Sequence, residues 1–345
     1  MSFRRLAERM RRPGWWRALA LLALALAAAG CHWLDGGDRP GMIYGRAQAE
    51  VGGVFLPLSD VRVAASGATN AVTHTRRDGG FTLARLNEGP HTVQLQALHG
   101  TYHRSVFVHG KHELPFVVKP ADISAALFFE LSGLKRVDVD DDGRLFWYYG
   151  ELVRWEKPLV SVYMDLATAP PEVDWRTVEE YWKELERWEA YLGNKVRFTK
   201  ANSPEKADIY VEWAPPDSMW PQVGVARHTA RYVDGSLKRV DIEIDAAWAR
   251  YPGLWAHELA HAMGVMHVSD PSSVMYPILD GDQRSTLSPR EVDHVRLMYD
   301  VPSGQRLASG LRVAAEGWTE PEAVEEERPS GVRTGVLRVA PDLRP

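Results

Sequence analysis

The stretch HELAHAMGVMH, residues 257–267, decides the interpretation of this chain. Residues four apart on a helix share one face, so His257 and His261 can direct their imidazoles at one point. Gly264 lets the chain leave the helix in a left-handed turn, which returns His267 to the same point. Three neutral imidazoles that leave one position open are typical of a catalytic zinc site. Glu258 lies beside these ligands, where it can take a proton from water rather than bind the metal.

A second motif follows the third histidine. Residues 267–277 read HVSDPSSVMYP and place Met275 in a turn a short loop after His267. This arrangement resembles the Met-turn of metzincins, in which a methionine forms an apolar floor beneath the zinc-binding histidines. The spacing and the S-D-P…M-Y-P wording resemble the matrixin branch more than the astacins. Astacins place a tyrosine two residues after the methionine, whereas Tyr276 follows Met275 directly, so no ligand role is expected for it.

The resemblance implies a matrixin-like zinc endopeptidase domain of the α+β metzincin type over residues 158–301, most specifically at 254–277. It also implies an edge strand at Gly224, Val225 and Ala226 that pairs with an extended protein or peptide substrate. One catalytic zinc ion is expected and no structural zinc, since only His228 lies where matrixins often hold a second ion.

Hydrophobic periodicity outlines the elements of this domain. A helix is predicted over 173–192 with Asp174 as its N-cap, and a final helix opens with a capping box at Ser288 and ends at Tyr299. The predicted strands are Leu159–Leu166, Lys195–Thr199, Ala207–Trp213, Gln222–Arg227 and Leu237–Asp245.

Residues 41–120 carry short alternating apolar runs separated by turn residues, which predicts a small antiparallel β-sandwich. The runs are Ile43–Ala47, Val61–Ala65, Phe81–Leu86, His91–Ala97 and His103–Val108. The wording also resembles carboxypeptidase regulatory-like, transthyretin-like modules. The histidines scattered through this region are interpreted as surface or strand residues, because none has the spacing of metal ligands.

Residues 121–157 form a connecting segment that contains the run DVDDDG at 138–143. Asp138, Asp140 and Asp142 have the spacing that begins a calcium loop, but Tyr149 stands where an EF-hand has glutamate. A solvated turn between strands Lys135–Val139 and Arg144–Tyr149 is favoured over a Ca²⁺ site.

The start of the chain indicates export. An arginine-rich stretch and a short Leu/Ala run lead to Cys31, which is typical of a signal peptide over residues 1–31. Ala28-Ala29-Gly30-Cys31 resembles a bacterial lipobox, which implies a lipid on Cys31 and attachment to the cell envelope, with the outer membrane favoured over the inner. If Cys31 carries no lipid, the protein is expected to be secreted. Residues 32–40 are interpreted as a linker.

Composition restricts the remaining possibilities. The 345-residue chain has a net charge of −5 and no basic stripe, which argues against a nucleic-acid partner. Its single cysteine excludes an intramolecular disulfide. Residues 302–345 are rich in Pro, Glu and Arg and are predicted to be a disordered tail. The chain is expected to be a monomer.

These features predict a membrane-tethered zinc endopeptidase in which Glu258 is the general base. Two alternatives stay open: a catalytically silent zinc-binding surface or adhesion protein, and a zinc amidase that acts on cell-wall peptides. The intact Glu258 argues against the first, because a site that only binds metal has no use for that carboxylate.

Overall fold

A computed structural model describes residues 40–139, 145–193, 195–218, 226–251, 253–278, 284–307 and 333–339. The predicted signal peptide, linker and lipidation site at Cys31 lie outside these residues, as do Gly224, Val225, Asp140 and Asp142. No helix within the described residues is long and apolar enough to cross a membrane.

The N-terminal region, residues 41–118, is built from strands, as the alternating pattern predicts. Along β6, for example, buried His91, Val93 and Leu95 alternate with more exposed neighbours, so one face of the strand packs on the core. The strands are β1 (Gly41–Val51), β2 (Val54–Pro57), β3 (Arg62–Gly67), β4 (Ala71–His74), β5 (Gly80–Leu86), β6 (Gly89–Ala97), β7 (Gly100–Val108), β8 (Lys111–Glu113) and β9 (Phe116–Val118).

These strands form two sheets. The central strand of the first is β1, which pairs antiparallel with β2 and β5 and parallel with β8 and β9. The second sheet is antiparallel throughout, in the order β4-β3-β6-β7. The two parallel pairings in the first sheet depart from the purely antiparallel arrangement that the sequence predicts.

The connecting segment contains a helix, α1 (Ala125–Leu131), followed by an antiparallel hairpin of β10 (Lys135–Val139) and β11 (Leu145–Tyr149). The hairpin confirms the predicted pair of strands. Asp138 lies within β10, opposite Phe146, and the other two candidate Ca²⁺ ligands, Asp140 and Asp142, lie outside the described residues. Helix α1 is not predicted, because AALFFEL is too short and too uniformly apolar to show helical periodicity.

The C-terminal region alternates strands and helices around one mixed sheet. Its elements are β12 (Leu159–Met164), α2 (Trp175–Tyr191), β13 (Arg197–Lys200), β14 (Ile209–Ala214), β15 (Ala226–Val233), β16 (Ser236–Asp245), α3 (Leu254–Ala262), α4 (Pro289–Asp300) and β17 (Arg333–Val339). Asp174 caps α2 by accepting from the backbone of Arg176 and Thr177, and Ser288 and Glu291 form the predicted capping box of α4.

The sheet has the order β13-β12-β14-β16-β15-β17. Four strands, β12, β13, β14 and β16, are parallel, whereas β15 runs antiparallel to β16. Strand β17 pairs antiparallel with the outer edge of β15, from Ala226 opposite Val339 to Tyr232 opposite Arg333. Helix α3, which carries the histidine motif, packs against β15 and β16.

Two predictions about this region differ in part from the structure. Of the strand predicted at Gln222–Arg227, residues 222–225 lie outside the described residues, and β15 continues from Ala226 to Val233, six residues beyond the predicted end. The segment predicted as a disordered tail, residues 302–345, contains β17, and its first two residues are buried against the domain. Pairing with β15 supplies the backbone hydrogen bonds that composition does not reveal.

The N-terminal region docks on the C-terminal one through polar contacts. Asp300, at the end of α4, accepts from the backbone N–H of His99 at 3.2 Å, and its carboxylate lies 2.7 Å from the His99 ring. Arg77 pairs with Glu156 and donates to the Ser303 carbonyl. Apolar residues of both regions belong to one contiguous buried cluster, so the two regions share a core.

Candidate metal centre and general base

Helix α3 ends where the motif predicts. Gly264 has φ +87°, and a Cβ there would lie 1.9 Å from the Val153 carbonyl oxygen, so the position requires glycine on both counts. The N–H of Val265 donates to the Ala260 carbonyl, and that of Gly264 donates to the His261 carbonyl. These two bonds form a Schellman motif, which turns the chain back toward the helix face.

The turn brings the three predicted ligands together. The Nε2 atom of His261 lies 3.0 Å from that of His257 and 3.1 Å from that of His267. All three side chains are buried, and their ring nitrogens lie within 4.8 Å of one another. Tetrahedral zinc with Zn–N distances of about 2.0–2.1 Å separates its nitrogen ligands by roughly 3.3 Å, close to the spacing seen here.

Backbone carbonyls orient the imidazoles through their other nitrogens. The Nδ1 atom of His257 lies 2.5 Å from the Val274 carbonyl, and that of His261 lies 2.8 Å from the Val265 carbonyl. A carbonyl can only accept, so these contacts place the ring proton on Nδ1 and leave a lone pair on Nε2. Lone pairs that converge in a buried space are stabilised by a cation, and this donor set fits zinc.

Burial keeps these histidines neutral. It lowers the pKa of His257, and it lowers the pKa of His261 and His267 well below the ordinary value of 6.5. The neighbouring imidazoles lower the pKa of His261 and His267 further, whereas a hydrogen bond to the Val137 carbonyl opposes the shift at His267. Metal ligands must be deprotonated, so the site is prepared for a cation at neutral pH.

Glu258 is completely buried beside this cluster. Its Oε2 atom lies 2.5 Å from Nε2 of His228, which is itself buried on β15. Its Oε1 atom and Nδ1 of His228 have no hydrogen-bond partner among the described residues. A buried carboxylate oxygen without a partner is costly unless a ligand or water satisfies it, so Oε1 is available to accept a hydrogen bond from a molecule bound beside the three histidines.

Met275 is fully buried in the loop that follows the third ligand. Its backbone N–H donates to the Ser273 hydroxyl, and its carbonyl accepts from the backbone N–H of Val268. Ser273 in turn donates to the buried carboxylate of Glu291 on α4. The predicted Met-turn is thus tied both to the residue after His267 and, through Val274, to His257.

The predicted substrate strand is described only in part. Of Gly224, Val225 and Ala226, only Ala226 is described, and it begins β15. The outer edge of β15 pairs with residues 333–339 of the same chain. His228, whose contact with Glu258 the sequence analysis missed, lies on this strand. The two residues are 30 positions apart and the strand register decides their contact, so no sequence spacing signals it.

Residues 154–300 match the family model described as Matrixin. This match and the three-histidine cluster fit a metzincin and support a zinc metalloprotease. No curated protein matches the chain.

Solved structures match at low similarity. The minor pilin of Streptococcus agalactiae is 12% identical, with 24% of this chain and 44% of the pilin covered, at a TM-score of 0.21. The 5-hydroxyisourate hydrolase of Klebsiella pneumoniae is 15% identical, with 32% of this chain and 98% of the hydrolase covered, at a TM-score of 0.19. These values support no inference about function.

Proposed function

We propose that this protein is a zinc-dependent endopeptidase with Glu258 as its general base. One observation carries the proposal: three buried Nε2 lone pairs converge beside a buried carboxylate whose Oε1 has no partner among the described residues. A site that only stores metal has no need of that carboxylate. Peptide is the proposed substrate because the Matrixin match covers the whole site.

His257, His261 and His267 hold the metal in this proposal. Zinc supplies Lewis acidity for a scissile carbonyl and lowers the pKa of water. Glu258 accepts the proton of the attacking water at Oε1 and delivers it to the leaving amine. The burial of Glu258 excludes bulk water from this transfer, and the contact with His228 holds its other oxygen in place.

Replacing Glu258 with Gln tests the general base. The amide keeps the shape of the side chain but cannot accept the proton, so peptide hydrolysis should fall at least ~10²-fold while zinc content stays at that of the parent. The matched control is Glu179→Gln, which changes an exposed carboxylate on α2 paired with Lys183. Hydrolysis and zinc content of the control should equal those of the parent.

Two results would overturn the proposal. Purified protein that carries less than about a tenth of an equivalent of zinc would argue against the metal centre. If zinc-loaded protein cleaves neither a broad peptide library nor peptidoglycan, the remaining explanation is a catalytically silent zinc-binding surface protein. Cleavage of peptidoglycan without cleavage of the library would replace the endopeptidase with the cell-wall amidase.

We further propose an extended substrate pairing at the outer edge of β15, by analogy with other peptides that add a strand to a sheet. Because β17 pairs with that edge, substrate would have to displace residues 333–339. The α+β metzincin arrangement proposed for the C-terminal region is supported by its mixed sheet and by the packing of α3 on β15 and β16.

For the N-terminal region we propose a β-sandwich of the regulatory-like module type, supported by its two sheets and shared buried core. The proposed cellular address is the bacterial envelope, with a lipid on Cys31. Metabolic labelling with a clickable palmitate analogue tests the anchor: the parent should be labelled and Cys31→Ser should not. An unlabelled parent recovered in soluble form would make the protein a secreted one.

A further inference from the structure

The third histidine ligand lies on a loop that is held from outside the Matrixin match. Residues 265–269 connect the end of α3 to the Met-turn, and His267 lies at their centre. Their backbone N–H groups at Met266 and Ser269 donate to the Leu131 carbonyl at 3.0 Å and to the Glu130 carboxylate at 2.9 Å. Both acceptors belong to α1 (Ala125–Leu131), which lies in the connecting segment and ends before the match begins at residue 154.

Glu130 is the centre of this contact. Besides the Ser269 backbone, it accepts from the Ser269 hydroxyl, which lies 3.1 and 3.0 Å from the two carboxylate oxygens, and from Lys135 at 3.2 Å. Glu130 is only 5% exposed. A buried carboxylate persists when charge and hydrogen bonds compensate its lost hydration, and Lys135 and Ser269 together supply both.

The connecting segment also reaches the ligand itself. The Val137 carbonyl on β10 raises the pKa of the His267 ring, whereas the rings of His257 and His261 contact carbonyls that follow α3 in the chain. Packing adds to this contact: Gly133 has φ +71°, and a Cβ there would lie 2.9 Å from Cγ of Met266. Residues 130, 131 and 133 therefore lie against the loop at both of its ends.

The segment is itself anchored to the domain. The backbone N–H of Ser124, the N-cap of α1, donates to Nε2 of His294 on α4 at 2.9 Å, and α1 packs against α4. An anchored helix can hold a loop in one position, whereas a loose segment would only follow it.

From these contacts we infer that the connecting segment completes the metal centre, with Glu130 as a positioning residue for the His267 loop. The inference rests on the proposed function, since it concerns how the third ligand is held. Groups that orient metal ligands typically contribute 10- to 100-fold in metal affinity. A residue that precedes the family match thus controls how tightly this chain holds zinc.

Glu130→Gln in the full chain is the test, because it keeps the side-chain shape and removes the charge. Zinc affinity, measured by competition with a chromogenic chelator, should fall roughly 10-fold, and Ser269→Ala should lower it in the same direction by less. Glu184→Gln is the matched control: Glu184 is equally buried, lies on α2, and pairs with Arg187 away from the loop. It should leave zinc affinity unchanged even if it lowers stability.

Two further measurements separate positioning from general destabilisation. In metal-free protein, amide hydrogen exchange at Met266 and Ser269 should increase in Glu130→Gln and not in Glu184→Gln. The visible spectrum of the Co²⁺-substituted protein reports the ligand set, and it should change in Glu130→Gln and stay parent-like in Glu184→Gln.

The outcomes separate the two proposals. If amide exchange at Met266 and Ser269 is unchanged in Glu130→Gln, the positioning role is overturned, whether or not zinc affinity changes. Faster exchange with parent-like zinc affinity also overturns it, because the loop would then be held without consequence for the metal. A parent protein that binds no zinc overturns the proposed function, and the role in metal binding fails with it, while amide exchange still shows whether Glu130 orders the loop.

Discussion

Two buried histidine sites in this protein differ in what surrounds the ring. At the metal centre, carbonyls accept from Nδ1 and the Nε2 atoms of three rings face one another. At the contact between the N- and C-terminal regions, His99 faces the carboxylate of Asp300, and both side chains are 1% exposed. Lys195 approaches the other oxygen of the same carboxylate at 3.3 Å.

The comparison shows that burial alone does not define a functional histidine. At His99 the ring nitrogen Nδ1 is satisfied by the Asp300 carboxylate, and this contact holds two parts of the fold together. Rings that present lone pairs to one another are satisfied by a cation. The partner atoms therefore separate a structural contact from a metal site.

The largest effect is expected when one ring is removed from the metal centre. His261→Ala leaves two imidazoles, fewer than the three protein ligands typical of catalytic zinc. Zinc should be lost on dialysis and peptide hydrolysis should fall more than ~10²-fold, the usual scale for an essential group. Elemental analysis and a peptide assay measure both. Retention of a full equivalent of zinc would contradict the assignment of His261.

Removing the His99 ring should instead lower stability and leave zinc binding intact. His99→Ala deletes a buried partner of Asp300, which should lower the free energy of unfolding by roughly 1–3 kcal/mol. Zinc content per folded chain should stay at that of the parent. Chemical denaturation with parallel metal analysis checks this, and His99→Asn should recover part of the loss because its amide can donate to Asp300. Loss of zinc in His99→Ala would contradict the assignment of His99 as a structural residue that is independent of the metal centre.

The edge of β15 allows a third comparison, since His228 on this strand contacts Glu258 beside the metal centre. Deleting residues 308–345 removes β17, so KM for an extended peptide should fall while kcat changes little. If β17 covers the edge in about nine molecules of ten, only about a tenth of the parent molecules can bind substrate, so the deletion should lower KM ~10-fold. Deleting only 340–345 keeps β17 and serves as the control. An equal KM in all three proteins would show that substrate does not use this edge.

The smallest effect is expected from pH at His294, which connects α1 to α4. Burial lowers the pKa of this ring below 6.5, and Nε2 accepts from Ser124 only while it is unprotonated. The folded state binds the proton less readily than the unfolded state, so this contribution is complete above pH 6.5 and is lost as pH falls through the folded value. In metal-free protein the histidines of the metal centre also lower stability over the same pH range, because burial lowers their pKa as well. The measurement is therefore a difference between two proteins: from pH 7.5 to 5.5, thermal melts of His294→Gln, which cannot titrate at this position, should lose less stability than the parent, by under about 1 kcal/mol.

Sequence reasoning worked best where the signal is local. The examples are the ligand spacing, the left-handed Gly264, the caps at Asp174 and Ser288 and the hairpin of the connecting segment, all of which depend on residues at most 14 positions apart. It failed at α1, whose seven residues are too few to show periodicity, and at β17, whose composition is that of a tail. Both are stabilised by contacts with distant parts of the chain.

The sequence by itself determined which residues can hold a metal and which carboxylate can serve it, because an imidazole spacing of four and a glycine exit are properties of one helix and one turn. Tertiary structure alone decided what surrounds them. The contacts of Glu258 with His228, Ser269 with Glu130 and His99 with Asp300 join residues 30, 139 and 201 positions apart. Such contacts arise from strand register and helix packing, which no short stretch of sequence encodes, and they set how firmly the site is held.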